Sequence, residues 1–142
     1  MARVKFNYAD RKLSLSDKSN LKSFIISLFE EEKTKLDELN YIFCSDEYLL
    51  QINKDHLNHD YYTDIITFSL EEEGNPIIGE IYISLDRIKE NSLIQKTNQL
   101  EETLRVIFHG SLHLCGYLDK KIKDIKLMRE KEDYYINQYL SK

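Results

Sequence analysis

Two of the four histidines and two of the four glycines fall within eight residues, 109–116 (HGSLHLCG). His109 and His113 stand at i and i+4, so on a helix their imidazoles share one face and can converge on a single cation. Gly116 follows three residues later and Asp119 three after that. A glycine at this point can adopt the left-handed conformation that ends a helix, folding the chain back so that a third side chain reaches the same ion. The pattern H-x-x-x-H-x-x-G-x-x-D thus offers two neutral imidazoles and one carboxylate, a set that suits one Zn²⁺ per chain. It leaves a fourth position open for water, as catalytic rather than structural zinc sites do. A bare H-x-x-x-H is more often coincidence than a site; Gly116 and Asp119 set this one apart.

The residues between and around the three ligands narrow the chemistry. The spacing is that of a metzincin site with aspartate in the third place. Proteases of the H-E-x-x-H type, however, carry their general base where this chain has Gly110, and glycine has no carboxylate. A glycine inside a helix costs about 1 kcal/mol relative to alanine, and close backbone packing beneath the metal is the reason expected for it. Arg105, one turn before His109, is placed either to clamp a phosphate held at the ion or to pair with Glu101 or Glu102. Between Lys120 and Lys131 six bases stand against two acids, so Lys120, Lys121 and Lys123 are candidates for contact with a polyanion. His56 and His59 are read as a surface loop because no third ligand has suitable spacing to them, and Tyr61 and Tyr62 are weak candidates for stacking on bases.

These groups need elements to hold them. Val4, Phe6 and Tyr8 alternate with polar residues as a half-buried outer strand does. Leu21, Phe24, Ile25, Leu28 and Phe29 form one helical stripe running to about Lys35, with Ser16 and Asp17 supplying capping chemistry. Residues 40–45 (NYIFCS) read as a buried strand followed by a short helix capped by Asp46, and residues 63–70 and 77–84 as two strands joined by a turn at 71–75 (EEEGN). From Leu85 onward the pattern is helical, in segments to about Lys96, from Glu101 to Cys115, and from about Lys123 to Leu140. In the second of these Leu104, Ile107, Phe108, Ser111, Leu112 and Cys115 form the buried phase, which leaves His109 and His113 on an adjoining face. The fold class is α+β: about four strands in a small sheet, covered by about five helices, one of them a zincin-like metal helix.

The 142 residues are 42% hydrophobic with one proline and four glycines. That is the size of one domain, 1–142, able to bury a core without a metal to staple it, so a metal here is functional. Acidic residues outnumber basic ones 25 to 20 for a net charge of -5, which excludes a basic nucleic-acid coat and leaves only a local basic patch for RNA. No segment has the apolar length of a membrane span and the amino terminus has no apolar leader core, so a cytoplasmic location is expected, with no membrane partner. Cys44 and Cys115, far apart and in no C-x-x-C pair, fit two half-buried thiols in a reducing compartment.

The motif resembles a known family. Residues 109–119 (HGSLHLCGYLD) are similar to the H-G-x-L-H-L-x-G-Y-D-H signature of the YbeY family, bacterial metal-dependent endoribonucleases of ribosomal RNA maturation. Asn53 with residues 63–68 (TDIITF) resembles that family's asparagine and T-D-V-L-S-F strand, and residues 79–83 (GEIYI) its G-D-I-x-I strand. Order and spacing agree from about Leu39 to Asp119. The resemblance implies an α+β fold with a small mixed sheet, a zinc ion, and action on single-stranded RNA near the 3′ end of 16S ribosomal RNA, in maturation and ribosome quality control. The small ribosomal subunit is then a partner and DNA is not. Two positions depart from the family pattern: the third ligand is Asp119 where histidine is usual, and Leu57 stands where an arginine four residues after the asparagine is usual. The leading expectation is a zinc-dependent endoribonuclease with Arg105 in a catalytic role. A non-catalytic, metal-stabilised ribosome-assembly factor is the second reading, and a zincin-like metallopeptidase, disfavoured by Gly110, the third.

Overall fold

The computed structural model describes residues 1–141. In chain order the elements are β1 (Arg3–Tyr8), α1 (Lys18–Glu31), β2 (Leu36–Cys44), α2 (Asp46–Leu57), β3 (Ile65–Ser69), β4 (Ile77–Ser84), α3 (Leu85–Gln95), α4 (Gln99–Leu114) and α5 (Ile122–Leu140). The expected α+β fold, with four strands and five helices among the described residues, is present. The strands form one mixed sheet in the order β1-β2-β4-β3, in which β1, β2 and β4 run parallel and β3 pairs antiparallel with β4. The expected hairpin is thus β3-β4, and both β1 and β3 are edges. No helix among the described residues is long and apolar enough to cross a membrane.

Cross-strand register sorts the side chains onto two faces. Val4 lies opposite Leu39, Phe6 opposite Tyr41 and Tyr8 opposite Phe43; Tyr41 and Phe43 in turn lie opposite Ile81 and Ile83. This row forms the main core with Leu21, Phe24, Ile25, Leu28 and Phe29 of α1, Leu104, Ile107, Phe108 and Leu112 of α4, and Met128, Tyr135 and Ile136 of α5. Burying one such side chain contributes roughly 1.5–3 kcal/mol, so this face carries most of the stability. A smaller cluster of Cys44, Leu49 and Ile66, with Phe68 and Tyr82 against it, packs α2 on the sheet. Both cysteines are free, Cys44 buried and Cys115 half-buried.

Local chemistry moved several expected boundaries. Helix α1 stops at Glu31, short of Lys35, because Lys33 turns left-handed (φ 56°) and Thr34 N–H bonds back to the Phe29 carbonyl. Asp17 is left-handed itself (φ 57°) and provides no side-chain cap. Strand β2 begins at Leu36, four residues before the apolar run, because pairing with β4 extends through the polar residues Glu38 and Asn40. Ser45, not Asp46, caps α2, its hydroxyl accepting from Tyr48 N–H at 3.1 Å. Asp46 instead accepts from the Ser84 hydroxyl at 2.6 Å and from Arg87 at 3.0 Å, joining α2 to the start of α3.

Helix α4 crosses the sheet closely. A Cβ on Gly110 would lie 2.9 Å from Cδ1 of both Ile65 and Ile81, so the glycine is the contact surface between helix and sheet. The close packing expected of Gly110 is therefore present, against β3 and β4. Tyr41, fully buried, donates to the Ile107 carbonyl at 3.1 Å and bonds the Ser111 hydroxyl, fixing α4 lengthwise over β2.

Candidate metal centre

The last two turns of α4 present His109 and His113 side by side, ring centroids 4.5 Å apart and nearly edge-on. The helix then ends in a Schellman turn: Gly116 N–H bonds the His113 carbonyl and Tyr117 N–H the Leu112 carbonyl, with Gly116 left-handed at φ 103°. The reversal brings Asp119 back, its Oδ2 3.2 Å from Nε2 of His109 and 3.2 Å from Nε2 of His113. These three residues are the one group of metal-capable side chains that converges among the described residues, with all donor atoms within 4.8 Å.

The donor set fits a divalent ion on two counts. Ligand atoms each about 2.0–2.1 Å from a tetrahedral zinc stand roughly 3.3 Å apart, close to the separations between Asp119 and the two imidazoles. Both Nδ1 atoms are occupied elsewhere, which leaves both Nε2 atoms facing the shared space. His109 Nδ1 is 2.6 Å from Glu132 Oε2, and His113 Nδ1 is 2.9 Å from the Tyr117 carbonyl. Opposite such acceptors Nδ1 carries the proton, so Nε2 is the ligating atom.

The charges around His109 are arranged in layers. Glu132, buried on α5, accepts from His109 and from Arg105 at 2.9 Å; Arg105 also reaches Asp133 at 2.7 Å and, more distantly, Glu101 at 3.9 Å. Burial acts to lower the pKa of His109, but the Glu132 hydrogen bond and charge, with Asp119 and Asp64, outweigh it and raise the pKa above its ordinary value. His113 is braced differently, through Tyr117. The Tyr117 hydroxyl donates to Glu32 at 2.6 Å, and Lys131 and Tyr135 of α5 bind the same carboxylate.

Two cavities meet at the ligands. One, of about 400 Å³, lies between α3, α4 and α5 and is lined by Asn91, Gln95, Arg105, Arg129, Glu132 and Asp64 among others. The other, of about 630 Å³, runs along β3 past Asn53, Leu57, His59, Tyr61 and Lys120. His109, Asp119 and Asp64 border both. Asp64 is a carboxylate whose pKa is raised, burial being the largest cause.

The other residues singled out by sequence are distributed as follows. Arg105 lines the smaller cavity with its guanidinium on Glu132 and Asp133. Lys120 lines the larger one, while Lys121 and Lys123 are exposed at the start of α5, outside both linings. His56 lies in the last turn of α2 rather than in a loop, edge-on to Phe68. His59 stacks on Tyr61, whose hydroxyl is 3.0 Å from its Nδ1. Neither joins the metal-capable group. Sequence reasoning missed Asp64 and Glu132. Glu132 had a readable signal, since it shares the buried stripe of Met128, Tyr135 and Ile136, where an acid is out of place unless paired.

Comparison with known proteins follows the same lines. A family model described as Endoribonuclease YbeY matches residues 5–140. An endoribonuclease YbeY of Cytophaga hutchinsonii is 48% identical over 124 residues, covering 87% of each chain. One of Flavobacterium johnsoniae is 41% identical over 136 residues, covering 96% of each. The solution structure of TM1509 from Thermotoga maritima superposes with a TM-score of 0.63 at 28% identity, covering 99% of this chain and 90% of that one.

Proposed function

We infer the activity from a single premise: this chain belongs to the endoribonuclease YbeY family. It is an endoribonuclease, a hydrolase acting on RNA, and its His109, His113 and Asp119 form a group able to hold a metal ion. The finer reading is that the ion is Zn²⁺, one per chain, and that the whole of 1–142 acts as one metal-binding domain on single-stranded RNA. Maturation of the 3′ end of 16S ribosomal RNA, with the small ribosomal subunit as partner and the cytoplasm as location, completes that reading. The observation that carries it is the convergence of two Nε2 atoms on one carboxylate oxygen, with both Nδ1 atoms held from behind.

Bound there, zinc would polarise a phosphoryl oxygen or raise the acidity of a water. The chain's own residues account for the rest of the proposed mechanism. Asp64, half-buried and bordering both cavities with His109 and Asp119, is placed to hold or take up a proton at the reacting centre. Arg105 lines the smaller cavity with its guanidinium paired to Glu132 and Asp133, so its part in the mechanism is to fix that wall rather than to supply free positive charge. Lys120 faces the larger cavity, and Lys121 and Lys123 extend the basic surface along which a polyanion would lie. Elemental analysis of the purified protein, joined to cleavage of single-stranded RNA with and without chelator, tests the reading. Stoichiometric zinc with chelator-sensitive cleavage is expected.

One observation favours a second reading. Leu57, where the family usually has arginine, lines the larger cavity and leaves that stretch of wall without a cation. If the metal-loaded protein cuts no RNA, either alone or with small ribosomal subunits, the chain is a metal-stabilised assembly factor. A peptidase of the H-E-x-x-H type has no support: the position of its base is Gly110, pressed onto Ile65 and Ile81 with no space for a carboxylate.

A further inference from the structure

We propose that Glu132 of α5 is the positioning residue of the metal centre, fixing the tautomer and direction of His109, with Arg105 holding Glu132 in place. This rests on the reading of His109, His113 and Asp119 as metal ligands. The two imidazoles are supported unequally. His113 Nδ1 faces the neutral Tyr117 carbonyl at 2.9 Å, whereas His109 Nδ1 faces a carboxylate at 2.6 Å. A carboxylate behind a ligating histidine pins Nδ1–H, frees Nε2 and makes it a stronger donor, and loss of such a partner typically weakens metal binding about 10–100-fold.

Glu132 is built for this and little else. It sits 5% exposed on the apolar stripe of α5, where an unpaired carboxylate would be costly. Its two oxygens divide the work: Oε2 receives His109 and Oε1 receives Arg105 at 2.9 Å. The guanidinium is anchored a second time by Asp133 at 2.7 Å, so Glu132 cannot rotate away from His109 without breaking that network. The chain Asp133–Arg105–Glu132–His109 therefore joins α5 to the metal helix across 23 residues of sequence, and its three supporting members lie outside the ligand motif.

The test measures Zn²⁺ affinity of the full chain by competition with a chromophoric chelator, together with stability in urea and imidazole ¹H–¹⁵N spectra of the zinc-loaded protein. Glu132→Gln keeps the shape and removes the charge; it should weaken zinc binding by about 10–100-fold and shift the downfield His109 Nδ1–H signal upfield. Glu132→Ala should weaken it further. Glu130→Gln, an exposed carboxylate on the same helix outside this network, should leave zinc affinity within about twofold of wild type. Wild-type affinity in Glu132→Gln, or an unshifted Nδ1–H signal, overturns the proposal, as does an equal loss in Glu130→Gln. Should Glu132→Ala fail to fold, Glu132→Gln and Glu130→Gln still decide the matter. A wild-type chain that takes up no divalent ion would instead overturn the ligand assignment itself, whatever the variants do.

Discussion

Replacing Gly110 by alanine sets two effects of opposite sign against each other. Alanine is the better helix former, by about 1 kcal/mol. Its Cβ, however, would lie 2.9 Å from the Cδ1 atoms of Ile65 and Ile81 and 3.0 Å from Ile81 Cγ2, in a core where Ile81 has no exposure. The Cδ1 atoms are side-chain ends and can swing; Cγ2 is tied to the strand, so helix and sheet must part by a few tenths of an ångström. Overpacking of this kind costs about 1–3 kcal/mol. Taking its midpoint against the helix gain, Gly110→Ala should be less stable by about 1 kcal/mol, which for a chain of this size lowers the melting temperature by about 3–4 °C. Gly110→Val, with two more methyl groups and no comparable gain in helix propensity, should lose at least twice as much. Circular dichroism of the metal-free proteins on heating and in urea measures both. An alanine variant that melts at or above wild type would show that helix propensity alone governs the position and that the close approach of α4 to the sheet is not under load.

Three further outcomes are expected. His113→Ala should retain less than stoichiometric zinc after dialysis, since it leaves only His109 and Asp119 at the convergence point; a full equivalent by elemental analysis would refute the ligand set. Reversing charge at Lys121 and Lys123 together should weaken binding to unrelated single-stranded RNAs alike and flatten the salt dependence by about 0.7 in slope for each phosphate no longer neutralised; an unchanged slope places the RNA on another surface. Because the pKa of metal-free His109 is raised, its protonated form persists above the ordinary pH range and competes with the metal. Zinc affinity should therefore already be falling as pH drops towards 6.5, the ordinary histidine value. The metal-free protein should behave oppositely, with a stabilisation present below the unfolded-state pKa and lost as pH rises through the folded one. A zinc affinity independent of pH in that range would show that His109 does not gain its proton from this environment.

The motif at 109–119 was legible because each of its signals is local. Helical spacing places two histidines on one face, and Gly116 needs no distant partner to turn left-handed. The hairpin of β3 and β4 and the stripe of α1 were readable for the same reason. Sequence reading went astray where a distant segment decides. Strand β2 starts at Leu36 because β4 pairs with it there, and Ser45 rather than Asp46 caps α2 because Asp46 is drawn to Ser84 and Arg87, where the neighbouring strand β4 passes into α3. The supporting carboxylates were hidden for a related reason. Glu132 lies thirteen residues beyond Asp119 on another helix, and only the packing of α5 against α4 shows that it faces His109 rather than solvent.

The two free cysteines are built-in reporters of local opening. Cys44 sits at the end of the central strand β2 with no exposure, its thiol pushed up to about 12 by burial and the nearby charges of Asp10, Asp86 and Asp46. Cys115, at the end of α4, is pushed up to about 11 by burial and by Glu32, with a hydrogen bond from Thr34 acting the other way. Since only the thiolate attacks, alkylating and oxidising reagents at neutral pH meet a chain that is nearly silent while it stays closed. Each thiol then reports the opening of its own region, Cys44 the middle of the sheet and Cys115 the turn that carries the third ligand. The ratio of their labelling rates would separate loosening of the metal loop from unfolding of the whole domain, with no probe added to the sequence.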